Sequence, residues 1–246
     1  MPYQPRTVSG VEVTPLCDAV GPMGPAIRRP LAELFPGSHL PDEPWILHFH
    51  CYLLRDEAGH LTLVDTGVGD TDSPAAVWAP VPGRLTGELA AVGVSPSEIG
   101  TVVITHLHSD HGSGAVTGGR PAFENARYVL QRAEYDAASG PMLDRVVTPV
   151  KDLLHLVDGR EEVAPGVHVQ LTAGHTPGHQ IVRVGELAMT GDLLHHPAQL
   201  ADPSLGYAYD HDREQATRVR IEVLDALRAE GAILATAHFS EPFLRL

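Results

Sequence analysis

The chain reads as short apolar runs broken by turn residues, with helical spacing in only a few places. Alternating or continuous apolar positions predict strands at 11–16, 45–54, 60–64, 101–104, 127–130, 167–171, 180–184, 186–189 and 233–235. Between 45–54 and 60–64 lies Arg55-Asp56-Glu57-Ala58-Gly59, which predicts a turn joining two neighbouring strands. Helical spacing appears at 84–92, closed by Gly93, and at 133–138. It is clearest at 212–230, where Ala216, Val219, Val223, Leu224 and Leu227 share one stripe. Residues 19–44 fit neither period. They are rich in Pro and Gly, with Met23, Ile27, Leu31, Leu34 and Phe35 interspersed, and read as an irregular excursion with room for one short helix. The order of elements predicts sheets flanked by helices in one αβ domain over 1–246.

The histidines change this picture. There are 15 of them, and their clustering matters more than their number. Directly after the buried run 101–104 comes Thr105-His106-Leu107-His108-Ser109-Asp110-His111-Gly112. One residue separates His106 from His108, so in extended backbone both point the same way. Asp110 and His111 follow where the chain should turn, which aims them at a second position close to the first. Imidazole nitrogen suits zinc and other borderline divalent ions, and a carboxylate can bridge two of them. His175, Asp192, His195 and His238 follow downstream, after predicted strands. The pattern predicts a two-metal hydrolase.

Composition narrows the partners. With 43% hydrophobic and 20% charged residues, the 246-residue chain is of ordinary globular type. Its 17 basic and 31 acidic side chains give a formal net charge of -14. That charge repels phosphate backbones and anionic lipid, so a small-molecule substrate is expected, with no nucleic acid and no membrane as partner. Nothing in the pattern specifies an oligomeric state. The only cysteines, Cys17 and Cys51, have no spacing that suggests a disulfide framework or a thiolate zinc site. Residues 1–10 hold no apolar leader-type stretch, and no run is long enough to span a bilayer, so a cytoplasmic protein is expected.

The sequence resembles the metallo-β-lactamase superfamily. Val64-Asp65-Thr66-Gly67, the histidine motif at 105–112, Gly174-His175-Thr176-Pro177-Gly178-His179, Thr190-Gly191-Asp192 and Ala237-His238 occur in the family's order and cover most of the chain. The resemblance implies an α/β fold of the four-layer αββα type, with metals at one edge between two sheets. It implies His106, His108 and His175 as ligands of one ion, and Asp110, His111 and His238 as ligands of the other. Asp192 is implied as the bridging carboxylate and Asp65 as an acid that orients ligands from behind. His179 reads as structural. The cofactors expected are two divalent ions, Zn²⁺ by donor type. Two such ions bring four positive charges, and Asp110, Asp192 and a bridging hydroxide remove three. About one net positive charge remains, which suits attack by that hydroxide on a polarised carbonyl or phosphoryl group. Asp110 and Asp192 therefore count as catalytic as well as ligating.

Other features choose among branches of that family. Asp192 separates the chain from true β-lactamases, and His108 stands where the di-iron flavoprotein branch has Glu. Residues 238–246 leave no room for the helical domain of the glyoxalase II branch or the exosite of the RNA-processing nucleases. The motifs sit closest to the methyl parathion hydrolase-like and lactonase branch. Acyl-homoserine lactonases of the superfamily carry Tyr three residues after the bridging Asp; here that position is His195. His195 is thus a candidate for binding a substrate oxygen or protonating a leaving group. Its alternative role is pocket wall. His196 reads as a structural neighbour, and Tyr207 or Tyr209 as a source of the missing phenol. The expected reaction is hydrolysis of a lactone or aryl ester, with a phosphotriester or thioester as alternative. A mono-iron persulfide dioxygenase is a competitor of another class, and a metal-stabilised binding protein without turnover is the non-enzymatic one. Residues 19–44 form either a lid supplying Met23, Ile27, Leu34 and Phe35 or a surface excursion. Trp45, Trp78, Leu107 and Phe239 are wall candidates or ordinary packing. His39, His60, His155 and His168 read as solvent-facing or locally satisfied.

Overall fold

A computed structural model describes residues 3–41 and 43–246; Met1, Pro2 and Asp42, the last within 19–44, lie outside the described residues. The strands are β1 (Arg6–Val8), β2 (Val11–Pro22), β3 (Ile46–Arg55), β4 (Leu61–Val64), β5 (Thr101–Val103), β6 (Val116–Thr117), β7 (Arg120–Pro121), β8 (Arg127–Gln131), β9 (Leu154–Val157), β10 (Arg160–Ala164), β11 (Val167–Leu171), β12 (Gln180–Val184), β13 (Leu187–Met189), β14 (Ile233–Ala235) and β15 (Phe243–Arg245). They form one sheet in the order β1-β2-β3-β4-β5-β8-β9 and a second in the order β10-β11-β12-β13-β14-β15; β6 and β7 pair by themselves.

Period-two alternation explains the layering. Tyr52, Leu54, Val64, Val103 and Val129 of the first sheet share a core with Val169, Val182, Val184, Leu187, Met189 and Ile233 of the second. Their neighbours Cys51, Leu53, Leu63, Val102, Tyr128 and Leu130 face the other way, onto Leu85, Leu89, Val146, Val147 and Val150 of the outer helical segments. On the far side, Ala188 and Leu234 pack on Leu224 and Leu227. The result is helix, sheet, sheet, helix. No helix among the described residues is long and apolar enough to cross a membrane.

Two expectations need correction. The opening strand does not stop at 16: β2 pairs with β3 as far as Pro22, with a register shift between Cys17 and Ala19. Its partner on the other side, β1, reaches only to Val13, so Pro15 sits on a free edge where its missing N–H costs nothing. The shift frees Asp18, whose carboxylate accepts hydrogen bonds from Val68 N and Leu85 N, each at 2.7 Å. Residues 19–44 are accordingly less irregular than their Pro and Gly content suggests: they begin as strand, include the helical turn Leu31–Leu34, and bury Met23, Leu34 and Phe35 with Leu47 and Phe49. Strands β1, β9, β10 and β15 had no signal of their own.

The clearest helix, Arg213–Ala229, begins at Asp212, whose side chain accepts from Gln215 N. Its stripe holds one residue the apolar pattern passed over. Arg220 lies between Ala216 and Leu224 and is 1% exposed. Its guanidinium donates to the carbonyls of Leu193 (2.9 Å) and Leu205 (2.7 Å), and lies 3.3 Å from Asp210 Oδ2. It ties the 193–210 segment to the helix. Removing one partner of a buried ion pair costs about 3–5 kcal/mol. Arg220→Met should lose stability of that size in urea unfolding monitored by circular dichroism, and a loss below about 1 kcal/mol would contradict the role given to this pair.

Candidate metal centre

The chemistry-bearing residues arrive on the carboxyl ends of β5, β11, β13 and β14. After β5 the chain bends at Thr105, is extended at His108 (φ -76°, ψ 153°) and then enters one helical turn, Ser109–Gly112. That turn brings Asp110 and His111 together with His238, while the His111 ring stays 4.2 Å from that of His106. After β4, Asp65 takes a left-handed conformation (φ 60°), which Asp tolerates better than most residues. Its carboxylate accepts from Thr105 N (2.7 Å), Thr105 Oγ1 (2.9 Å) and His111 Nδ1 (2.8 Å).

His106, His111, His175 and His238 are each held from behind through Nδ1 and turned inward through Nε2. His175 Nδ1 donates to Asp210 Oδ1 (2.9 Å), and His238 Nδ1 to the His48 carbonyl (2.9 Å). His106 Nδ1 meets Thr105 Oγ1 at 3.1 Å. The inward Nε2 atoms crowd Asp192: His238 at 3.0 Å, His111 at 3.1 Å, His175 at 3.2 Å and His106 at 3.6 Å. His108 Nδ1 is 2.9 Å from His175 Nε2. Two donor groups result, His106, His108, His175 and Asp192 on one side and Asp110, His111 and His238 on the other; within each, the donor atoms lie within 4.8 Å of one another. Yet His106 Nε2, His111 Nε2 and Asp192 Oδ1 are buried without a hydrogen-bond partner among the described residues. The atoms are close but do not point along hydrogen bonds. Such orphaned donors aimed at common points fit metal ions.

The electrostatics agree. Burial drives the pKa of His106 down, with neighbouring His111 adding to the effect, and burial takes His108 to about 3. These rings are neutral and ready to ligate. Burial opposes charge on His175 as well, but Asp192 and Asp210 outweigh it and raise the pKa to about 9. For His111, burial is outweighed by Asp192, Asp110 and Asp65; for His238, by Asp192 and Asp110; both pKa values rise. Asp192 is also penalised by burial, yet His111, His238 and His195 hold its pKa well below the usual carboxylate range. The bare cluster balances its carboxylates with protons on imidazoles, a role that bound cations would take over.

His179 is not one of the inward donors. Its Nδ1 donates to Thr172 Oγ1 (2.8 Å) and its Nε2 accepts from Asp192 N (3.0 Å), so both ring nitrogens are committed to placing Asp192. Gly191 (φ +47°) lets that approach happen, because a Cβ there would stand 2.8 Å from His179 Nε2. Three supports escaped the sequence reading. Glu134 accepts from Leu107 N (2.8 Å), Thr176 Oγ1 (2.6 Å) and Gly178 N (2.8 Å), joining the loops that carry His106 and His175. Gln199 Oε1 accepts from His195 N (2.9 Å). Asp210 fixes His175 and is itself held by Arg220. A charge interrupting an apolar helical stripe was the one readable sign, at Arg220; Glu134 and Gln199 carried none.

Above the donors opens a cavity of about 260 Å³. His108, Asp110, His175, Asp192, His195 and His238 reach it from below; Met23, Ile27, Leu47, Trp78, Tyr207 and Tyr209 form its walls. Of the four residues of the lid reading, Met23 and Ile27 line the cavity, while Leu34 and Phe35 pack behind it. Trp78 is wall; Trp45, Leu107 and Phe239 are packing residues; Leu47 was not foreseen. His195 is 2% exposed, 3.2 Å from Asp192 Oδ2, and stacked on Tyr207 at 3.8 Å between ring centroids. Neither of its ring nitrogens has a hydrogen-bond partner among the described residues. Burial, only partly countered by Asp192, lowers its pKa to about 4. Tyr209 donates to the Ile27 carbonyl (2.6 Å) and so staples the Met23–Ile27 wall in place. His196 caps the helix Pro197–Ala201, its ring set against Phe35 and Trp45. His60 and His155 are satisfied by Asp56 and Glu161, His39 is exposed, and His168 is half-buried.

Known proteins are similar to the chain in sequence and in fold. An N-acyl homoserine lactonase from Bacillus sp is 35% identical over 178 residues, which is 66% of this chain and 66% of that protein. Two solved structures superpose with about the same fidelity. The hydrolase AbOPH, described as in the beta lactamase superfamily, gives a TM-score of 0.82 at 21% identity over 98% of this chain and 91% of its own. AidC, a dizinc quorum-quenching lactonase in complex with a product, gives 0.81 at 20% identity over 100% and 97%. The sequence profile of the metallo-beta-lactamase superfamily matches residues 50–238, from β3 to the last inward histidine, and the chain belongs to that superfamily.

Proposed function

We propose that this chain is a metal-dependent hydrolase of small lactones or related esters, with two divalent ions held between its sheets. The observation that carries the reading is the set of buried, unpartnered nitrogens converging on Asp192. His106, His108 and His175 would hold one ion and Asp110, His111 and His238 the other, with Asp192 available to both. Nitrogen and carboxylate donors without thiolate suit Zn²⁺. The split into two donor groups favours two ions over a single iron. The lactonase relatives and the dizinc lactonase structure support the substrate class.

Ions bound there lower the pKa of water and polarise a carbonyl oxygen. The rest falls to the chain's own groups. Asp65, Asp210 and the His48 carbonyl lock the imidazoles in the tautomer that leaves Nε2 free to ligate. Met23, Ile27, Leu47 and Trp78 exclude water and receive the apolar part of the substrate. Tyr207 is the phenol that donates to the substrate's oxygen: it lines the cavity over His195, whereas Tyr209 has its hydroxyl committed to Ile27. His195, neutral at working pH, buttresses the Tyr207 ring and offers an N–H to the same oxygen. It does not protonate the leaving group as a cation.

Purified protein of measured metal content should hydrolyse lactones in a panel that also holds aryl esters, thioesters and phosphotriesters. A chelator should abolish the activity and Zn²⁺ restore it, while Asp192→Ala should lose both activity and bound metal. Full turnover by that variant would falsify the centre. Removing one donor to a developing oxyanion costs about 10²–10³ in kcat. Tyr207→Phe should therefore fall in kcat by about that much at unchanged metal content, and an unchanged kcat removes Tyr207 from the chemistry. Zinc binding should also release protons, because His111, His175 and His238, whose pKa values are raised by the buried carboxylates around them, must deprotonate to ligate. Affinity should then rise with pH as these rings deprotonate. Calorimetric titration of metal-free protein in buffers of different ionisation enthalpy reads the number directly; a value of zero contradicts the assignment.

A further inference from the structure

Behind His238, on the face of β3 that looks toward the second sheet, three more ligating side chains meet. Cys17 of β2 and His50 of β3 are cross-strand partners, and His48 lies two residues along on the same face. Their donor atoms are within 4.8 Å of one another, with Cys17 Sγ 3.7 Å from His48 Nδ1. Cys17 is 6% and His50 3% exposed, while half-buried His48 opens the cluster to solvent. His50 donates from Nε2 to the Phe239 carbonyl at 2.9 Å, which leaves the lone pair on Nδ1. That buried atom has no hydrogen-bond partner among the described residues. Besides its contact with His48, the Cys17 thiol makes one weak bond, to the Ala19 carbonyl at 3.4 Å.

We propose that Cys17, His48 and His50 form a further metal site, separate from the centre around Asp192, that takes one ion of the zinc class. A sulfur and two imidazole nitrogens select Zn²⁺, Co²⁺ or copper over Mg²⁺ and Ca²⁺. Binding converts the Cys17 thiol to thiolate, its proton passing to solvent as the sulfur–metal bond forms. Three protein ligands leave the fourth tetrahedral position for water on the open His48 side. The site also bears on its neighbour. The His48 carbonyl accepts from His238 Nδ1, His48 N donates to His238 O (3.3 Å), and His50 N donates to Ala237 O (2.9 Å). An ion here clamps the strand that positions His238. The sequence reading saw no thiolate site because Cys17 lies 31 residues from His48.

Cobalt titration separates this site from the other centre, which contains nitrogen and oxygen donors only. Full-length protein stripped with chelator and titrated with Co²⁺ should take up about three equivalents and show a near-ultraviolet thiolate-to-cobalt charge-transfer band. Cys17→Ala should lose the band and one equivalent. His106→Ala should keep the band while losing metal elsewhere, so failure of the hydrolase reading and failure of this one are distinguishable. His48→Gln, which retains its main-chain bonds to His238, should weaken the band-forming step at least about tenfold and serves if Cys17→Ala does not fold. The absence of a band from the wild-type protein, or its persistence in both Cys17→Ala and His48→Gln, overturns the proposal.

Discussion

Buried negative charge is the constraint on which the rest of the structure depends. Asp65, Asp110, Asp192 and Asp210 are all at most 7% exposed and lie within one continuous network. Burying one uncompensated carboxylate costs several kcal/mol, and burying four without cations would consume most of a domain's stability. Among the described residues, Arg220 is the one permanent cation paired within the network, and it reaches only Asp210. The remaining charge must be met by imidazolium or by metal. The same imidazoles serve both needs: they carry protons when the centre is bare and become neutral ligands when ions bind. Folding and metal binding are therefore linked through one set of residues.

That requirement gives the sandwich its direction. Strand ends carry the donors, while positions deeper in the strands hold the two sheets together through aliphatic packing. The supports then run outward from Asp192 in connected chains. One goes through His175 and Asp210 to Arg220 and the long helix. Another goes through His179 to Thr172, and a third through His238 to the main chain of β3. Glu134 closes the arrangement by holding two of the loops at once. Core packing and donor placement are thus continuous: a shift of the helix moves Asp210, and Asp210 aims His175.

What was legible in the sequence follows from the range of the forces involved. The donor motif at 105–112 could be read because its geometry is local: His106 and His108, one residue apart, fall in one donor group, and one helical turn carries Asp110 and His111 to the other. The αββα layering was carried by the family resemblance more than by periodicity, since β1, β9 and β15 are only three or four residues long, β10 is rich in charged residues, and β9 exists through pairing with β8 from another part of the chain. Pro15 and Pro22 masked the length of β2 because edge pairing, invisible to local propensity, makes them harmless. Glu134 and Gln199 resemble any surface polar residue until tertiary contacts bury them. The two-way reading of 19–44 resolves into both options: Met23 and Ile27 wall the cavity, while Leu34 and Phe35 bury their own surface.

The substitution at 195 now has a physical reading. A histidine occupies the place from which lactonases of the superfamily present tyrosine, and a tyrosine from another segment, Tyr207, stacks directly upon it. Tyr207 lines the cavity. Its burial beside Asp192 and Asp110 raises its pKa, so it stays protonated and able to donate. The formal charge of -14 acts in the same direction as the proposed chemistry. A neutral lactone approaches an acidic surface without penalty, whereas the carboxylate that hydrolysis creates is repelled once it leaves the cationic centre. Repulsion of that kind is screened beyond about 8 Å at physiological ionic strength, so it acts only on a product still close to the protein surface.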